Sequence, residues 1–201
     1  ISLIKKSKTF KGKSLVSIFV NPKQFDQKKD FLKYPRNIRK DLNILKRLGV
    51  DFIFLPNFKD LYYFKVKNKI FLDKFSKKLC GKTRKGHFKG VLNVVNRFLE
   101  IINPKYIFLG IKDFQQLYLI NKHILKRKIN TRIIECKTIR EKNGVAYSTR
   151  NNRLSFNQLK IASGVYKYLK YEKKNKNFDL RKMKRNLIKL GVKKIDYLEI
   201  Y

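Results

Sequence analysis

Short apolar runs alternate along this chain with longer segments whose apolar residues recur at helical spacing. That alternation constrains the fold more than any other feature. Ser14–Val20 is a continuous apolar run of the kind a strand buried on both faces shows, and Asn21-Pro22 ends it because proline removes a ladder donor. A helix is expected from Pro35 to Leu48, where Ile38, Leu42, Leu45 and Leu48 keep one face and Gly49 stops it. Asp51–Leu55 reads as a second strand, and Ile70–Lys78 as a short helix or irregular segment. The clearest helix runs from Lys89 to Ile102, with Val91, Val94, Val95, Phe98, Leu99 and Ile102 on one face. After Asn103-Pro104 come a third strand, Tyr106–Leu109, a helix over Asp113–Lys128, and a fourth strand, Thr131–Cys136. Strand–helix alternation through about residue 138 implies parallel βαβ units in one sheet.

Past Asn143-Gly144 the pattern changes. A helix over Ser155–Tyr171, a polar loop at Lys173–Asn177, a helix over Leu180–Leu190 and a strand at Ile195–Ile200 suggest a small second domain. No internal repeat occurs.

Composition excludes several classes. Of 201 residues 43% are hydrophobic, with 16 Phe and 11 Tyr, which is too apolar for a disordered chain. Lysines interrupt every apolar stretch before the ~20 residues a membrane span needs, and no secretory h-region is evident at Ile1–Lys6. A soluble, cytoplasmic protein is therefore expected. Cys80 and Cys136 form no spacing motif, so neither a disulfide framework nor a zinc site is indicated. The formal charge of +37 invites a nucleic-acid reading. Yet 39 of the 51 basic residues are Lys, spread evenly, beside 21 Ile, 17 Asn and 2 Ala. That pattern fits the codon bias of a low-GC genome, with lysine at every tolerant surface position, better than a nucleic-acid footprint with Arg and stacking aromatics concentrated on one stripe.

Ligands of open parallel sheets bind beyond the carboxyl ends of the strands. Three segments occupy such positions. Asn21–Phe25 offers the carboxamides of Asn21 and Gln24. Gly110-Ile111-Lys112-Asp113-Phe114-Gln115-Gln116 offers an approachable backbone, a point charge and a helix N-terminus suited to phosphate. Tyr147-Ser148-Thr149-Arg150-Asn151 places two hydroxyls beside a guanidinium, although Ser148 and Thr149 would equally cap a following helix. His87 sits in a glycine-bearing loop where it would meet an anion, whereas His123 lies on a basic helix and reads as exposed.

The wording of these segments is more specific than their chemistry. Ser17–Phe25 closely resembles the SIFVNPxQF segment of the pantothenate synthetase (pantoate–β-alanine ligase) family. Tyr34-Pro35-Arg36 with Asp41 resembles its YPR…D, Arg84–Val91 its RPGHFxGV loop, Gly110–Gln116 its GEKDxQQ and Arg140–Asn151 its RExDGLAxSSRN. Five motifs in family order cover nearly the whole chain.

The resemblance implies an α/β fold of the HIGH superfamily: a Rossmann-like nucleotidyltransferase domain with a parallel sheet over 1–142, a smaller α+β domain over 143–201, and a homodimer. It implies ATP-dependent condensation of pantoate with β-alanine through pantoyl adenylate, with Mg²⁺ accompanying the nucleotide. Carried over position by position, Gln24, Gln116 and Asn21 serve pantoate, and Gln24 also borders β-alanine. Gly110, Ile111, Lys112, Asp113, Ile139, Tyr147, Ser148, Thr149 and Arg150 serve ATP, with Lys112 neutralising charge at the α-phosphate. Arg84 and His87 belong to a loop near the mouth of the site. The family opens with a strand and an MGxLHxGH signature, whose second His helps stabilise the adenylation transition state. No such signature occurs here, and Ile1–Ile4 resembles the residues directly after it. The resemblance thus implies a chain that starts just past that His and stops short of the family's end, weak or inactive by itself in adenylate formation. Lys85 stands where the family has Pro, Asn143 for Asp and Thr149 for the second Ser. The alternatives are another nucleotidyltransferase of the superfamily, against which the paired Gln24 and Gln116 argue, and a basic nucleic-acid-binding protein.

Overall fold

A computed structural model describes residues 1–25, 28–175 and 178–201. The chain divides into two compact units, Ile1–Lys137 and Thr138–Tyr201. The first contains helices α1 (Ser2–Ser7), α2 (Lys28–Leu32), α3 (Ile38–Arg47), α4 (Phe58–Tyr62), α5 (Cys80–Thr83), α6 (His87–Ile102) and α7 (Phe114–Lys126), with strands β1 (Leu15–Ser17), β2 (Phe52–Phe54), β3 (Tyr106–Gly110) and β4 (Arg132–Cys136). The second contains α8 (Phe156–Glu172) and α9 (Leu180–Lys189).

Both strand pairs are parallel, as the βαβ alternation implies, but the described strands form two pairs rather than one sheet. β1 lies beside β2 with Leu15 opposite Phe52, and β3 beside β4 with Tyr106 opposite Arg132. The first pair is shorter than its apolar run suggests and is not buried on both faces: Leu15 and Phe52 remain 39% and 56% exposed. A ladder of three residues leaves one side of such a run without a partner, so its side chains stay partly in solvent. Asp51 ties the two strand starts together. Its carboxylate accepts from both the Ser14 N–H and the Ser14 hydroxyl at 2.8 Å, bonds that hold it well below the usual carboxylate range.

The helix signals translate directly. α3 ends in a Schellman turn: Gly49, at φ +63°, donates to Lys46 O, and Val50 donates to Leu45 O. α6 begins two residues earlier than its apolar periodicity indicates, because Gly86 in the left-handed conformation caps it and lets His87 become its first residue. The core of this unit is the α6–α7 seam, where Phe88, Val91, Leu92 and Leu99 meet Leu119, Ile120 and Ile124.

His123 corrects the expectation of exposure. It is fully buried on α7, in helical register with Leu119, Ile120 and Ile124. Its Nδ1 accepts from the Phe71 N–H at 3.1 Å, and its Nε2 meets Asn96 Oδ1 at 2.9 Å. Burial, with the Arg127 charge adding to it, pushes its pKa down to about 4, so the ring is neutral. Asn96 in turn donates to Asn68 O and Glu100, whose carboxylate accepts from the backbone N–H groups of Lys67 and Asn68. These bonds strap the Lys67–Phe71 segment to α6 and α7.

In the second unit, the Asn143-Gly144 turn is shaped by α8. Ser163 donates to Asn143 O, Arg140 lies 4.1 Å over the Tyr166 ring, and a Cβ on Gly144 would overlap that ring. Asn143 Oδ1 accepts from the Val145 N–H at 2.9 Å, a turn bond that an Asp side chain would make equally well. Ser155 and Gln158 form a capping box at the start of α8. The strand expected at Ile195–Ile200 is not formed: no described strand pairs with the segment to complete a ladder. Of the Lys173–Asn177 loop, 176 and 177 lie outside the described residues.

Candidate active site

Two turns of the first unit follow the carboxyl ends of parallel strands, one after β1 and one after β3, and they are built in opposite ways.

The turn after β1 is held from several sides. Asn21 is 1% exposed and its carboxamide is fully engaged: Nδ2 donates to Gly90 O at 3.1 Å, while Oδ1 accepts from the Lys23 N–H at 3.1 Å and from the Tyr62 hydroxyl at 2.9 Å. Pro22–Gln24 forms one 3₁₀ turn on that cap. Tyr62 is fixed in its turn, stacked on Phe58 at 4.5 Å, with Lys23 Nζ 4.1 Å and the Arg97 guanidinium 4.8 Å over its ring. Burial keeps its phenol above the ordinary value against the opposing pull of Arg97, so the hydroxyl is a donor at neutral pH. The Gln24 carbonyl meets His87 Nδ1 at 2.7 Å, and Arg84 Nη1 lies 3.1 Å from the other ring nitrogen. His87 is therefore not a loop residue awaiting an anion; it is buried on α6 and bound to the turn. The Gln24 carboxamide itself makes no hydrogen bond among the described residues and is half-buried.

The turn after β3 is open. Gly110 closes β3 at φ −78°, ψ 130°, a conformation any residue adopts, and a Cβ there would meet nothing within 4 Å. Neither backbone nor packing within the protein demands glycine at this position. Ile111, Lys112, Asp113 and Phe114 are all exposed, and no side chain caps the N-terminus of α7 among the described residues. Gln115 and Gln116 then part company. Gln115 is 5% exposed; its Oε1 accepts from the Cys80 N–H, and its Nε2 donates to Phe75 O and Lys78 O. Gln116 is half-buried and makes no hydrogen bond among the described residues. Each turn thus pairs one carboxamide committed to the scaffold with one left available.

The third segment lies in the second unit. Ser148 caps the 3₁₀ turn Thr149–Arg153 by accepting from the Arg150 N–H, as a capping serine does, while Tyr147, Thr149 and Arg150 are exposed. Ile139 is 49% exposed and its carbonyl accepts from the Tyr147 N–H. Asn151 donates to Glu141 and to Ala146 O, closing the segment on itself.

Tyr62 and Gly90 are the residues that sequence reasoning missed. A Cβ on Gly90 would overlap the Lys23 carbonyl oxygen and lie 2.8 Å from Gln24 Cα. The available signals were faint: an Asn57…Asp60 capping box announcing a short helix ahead of Tyr62, and an isolated glycine in a helix pattern.

An open glycine turn at the end of a parallel strand, with a lysine on it and a helix N-terminus behind it, is the arrangement that nucleotide-binding α/β domains place at the carboxyl ends of their strands. A profile of the family described as pantoate-beta-alanine ligase matches residues 1–201. Pantothenate synthetases from Caldicellulosiruptor saccharolyticus and Clostridium botulinum are 37% and 40% identical, each over 99% of this chain and 73% of its own length. A crystal structure of pantoate-beta-alanine ligase from Francisella tularensis, complexed with beta-gamma ATP and beta-alanine, shares the fold with a TM-score of 0.84 at 36% identity, covering 98% of this chain and 76% of that one. The chain belongs to the pantoate-beta-alanine ligase family. Among the described residues no helix is long and apolar enough to cross a membrane.

Proposed function

We propose that this protein condenses pantoate with β-alanine using ATP, releasing AMP and pyrophosphate. The observation that carries the reading is the match of the ligase family across residues 1–201. Two carboxamides left available, Gln24 and Gln116, support it locally, since a hydroxy acid needs donors and acceptors not already engaged.

In this reading a carboxylate oxygen of pantoate attacks the α-phosphorus, and the bond to the β-phosphate breaks to release pyrophosphate. The amine of β-alanine then attacks the acyl carbon, loses a proton, and displaces AMP. No covalent bond to the protein is made, so the residues act by positioning and by charge. Gln24 and Gln116 orient pantoate, with Asn21 shaping the turn that carries Gln24. Gly110 lets the nucleotide approach the backbone, Asp113 meets the ribose, and Lys112 answers the negative charge that grows at the α-phosphate. Ile139 borders adenine, while Tyr147, Ser148, Thr149 and Arg150 supply hydroxyls and a guanidinium to phosphate. Among the described residues no three His, Cys, Asp or Glu side chains converge. Mg²⁺ accompanying the nucleotide would lower the charge on its phosphates. A homodimer and a cytoplasmic location complete the reading.

The test uses the protein as its source encodes it. AMP should accumulate only with ATP, Mg²⁺, pantoate and β-alanine all present, and labelled pyrophosphate should exchange into ATP with pantoate but without β-alanine. Exchange that requires β-alanine, or AMP formation without pantoate, would contradict the order of steps.

A further inference from the structure

The structure assigns His87 a task that its place in a glycine-bearing loop does not suggest: it is a positioning residue that sets Gln24 through the backbone. This inference rests on the reading of Gln24 as a partner of pantoate.

The hydrogen bonding fixes its direction. The Gln24 carbonyl oxygen can only accept, so His87 Nδ1 donates to it at 2.7 Å. The Arg84 guanidinium can only donate, so His87 Nε2 accepts from Nη1 at 3.1 Å. Together the two partners select the Nδ1–H tautomer. Arg84 thus locks the ring, and the ring locks Gln24.

Two further contacts come from the same helix face. Gly90 lies three residues beyond His87 on α6, receives Asn21 Nδ2 on its carbonyl, and admits the Lys23–Gln24 backbone where a Cβ would collide with it. The first turn of α6 is therefore a seat for the Gln24 turn. The rest of α6 packs through Phe88, Val91 and Leu92 against α7, the helix that carries Gln116. One element thus seats the Gln24 turn and packs against the helix that carries Gln116, and His87 is the hydrogen-bonded joint on the Gln24 side. A displacement of about 1 Å at such a joint is enough to degrade ligand alignment.

The experiment compares His87→Ala, His87→Asn and His87→Gln in the natural protein, with Gln24→Ala as control. An Asn Nδ2 occupies nearly the place of His Nδ1, whereas a Gln Nε2 reaches the place of His Nε2. His87→Ala should raise the pantoate KM about tenfold, the loss expected for one hydrogen bond, with the ATP KM changed less than about twofold. His87→Asn should restore the pantoate KM to within about threefold of the parent, and His87→Gln should resemble the alanine variant. Should the alanine variant fail to fold, the Asn–Gln contrast carries the test alone. Equal behaviour of Asn and Gln, or a joint rise of both KM values, would overturn the inference. If Gln24→Ala raises the pantoate KM while His87→Ala does not, the positioning role falls and the reading of Gln24 stands. If Gln24→Ala leaves it unchanged, both fall.

Discussion

The turns after β1 and β3 occupy equivalent places in their strand pairs, yet one is clamped and the other open. The Asn21–Gln24 turn has a buried carboxamide, a tyrosine hydroxyl, an imidazole and a glycine-lined helix face holding it. The Gly110–Asp113 turn has vacant space at its glycine and four consecutive exposed residues after it. The difference fits the proposed roles of the two turns. A small hydroxy acid offers few contacts, so its reader must be held in place in advance; a nucleotide brings phosphates, ribose and base, and needs room to approach.

The largest effect should come from the open turn. Lys112→Ala should lower the rate of pantoate-dependent pyrophosphate exchange on the order of 10²–10³, with a smaller change in the ATP KM, because a cation aimed at developing charge acts chiefly in the transition state. A change confined to ATP affinity would make Lys112 a ground-state contact. Next comes the glycine pair. Gly90→Ala forces a Cβ into the Lys23 carbonyl and should cost about 3 kcal/mol, a fall in Tm of roughly 10 °C. Gly110→Ala should leave Tm within about 1 °C and raise the ATP KM roughly fivefold, as for one impaired polar contact. Equal thermal behaviour of the two variants would erase the contrast between the turns.

The adjacent glutamines sharpen it further. Gln115→Ala removes three buried hydrogen bonds and should lower stability by about 2 kcal/mol, whereas Gln116→Ala should leave the melting curve in place and weaken pantoate binding. A pH-dependent effect concerns the frame behind both turns. His123 has a folded-state pKa near 4, below its ordinary 6.5, so the unfolded chain binds the extra proton between those values. Its contribution is complete above pH 6.5 and is lost as pH falls toward 4, a slope worth at most about 3 kcal/mol in total. Chemical denaturation at pH 7 and pH 5 should show a smaller stability difference in His123→Gln than in the parent; an undiminished difference would place the slope elsewhere.

Much of this was legible along the chain. Periodicity alone located α6 and α7, the proline and glycine stops marked the strand ends, and the motif wording led to both turns. Other features depended on tertiary context. Gln115 and Gln116 have the same chemistry; the resemblance points to Gln116, and the packing of the Phe75–Cys80 backbone over α7 gives the physical reason that Gln115 belongs to the scaffold. His123 was misread from the lysines around it, although its spacing from Leu119, Ile120 and Ile124 places it on the apolar face. Ile195–Ile200 shows that an apolar run forms a strand only where a partner exists to pair with it.

The central claim is that the clamped turn reads pantoate and the open turn reads ATP. Its most direct test is equilibrium binding of each substrate, by calorimetry, to Gln24→Ala and Gly110→Ala in the natural protein. The account predicts a crossed result: Gln24→Ala weakens pantoate at least about tenfold and ATP less than twofold, and Gly110→Ala weakens ATP about fivefold and pantoate less than twofold. Parallel losses of both ligands in either variant would contradict it.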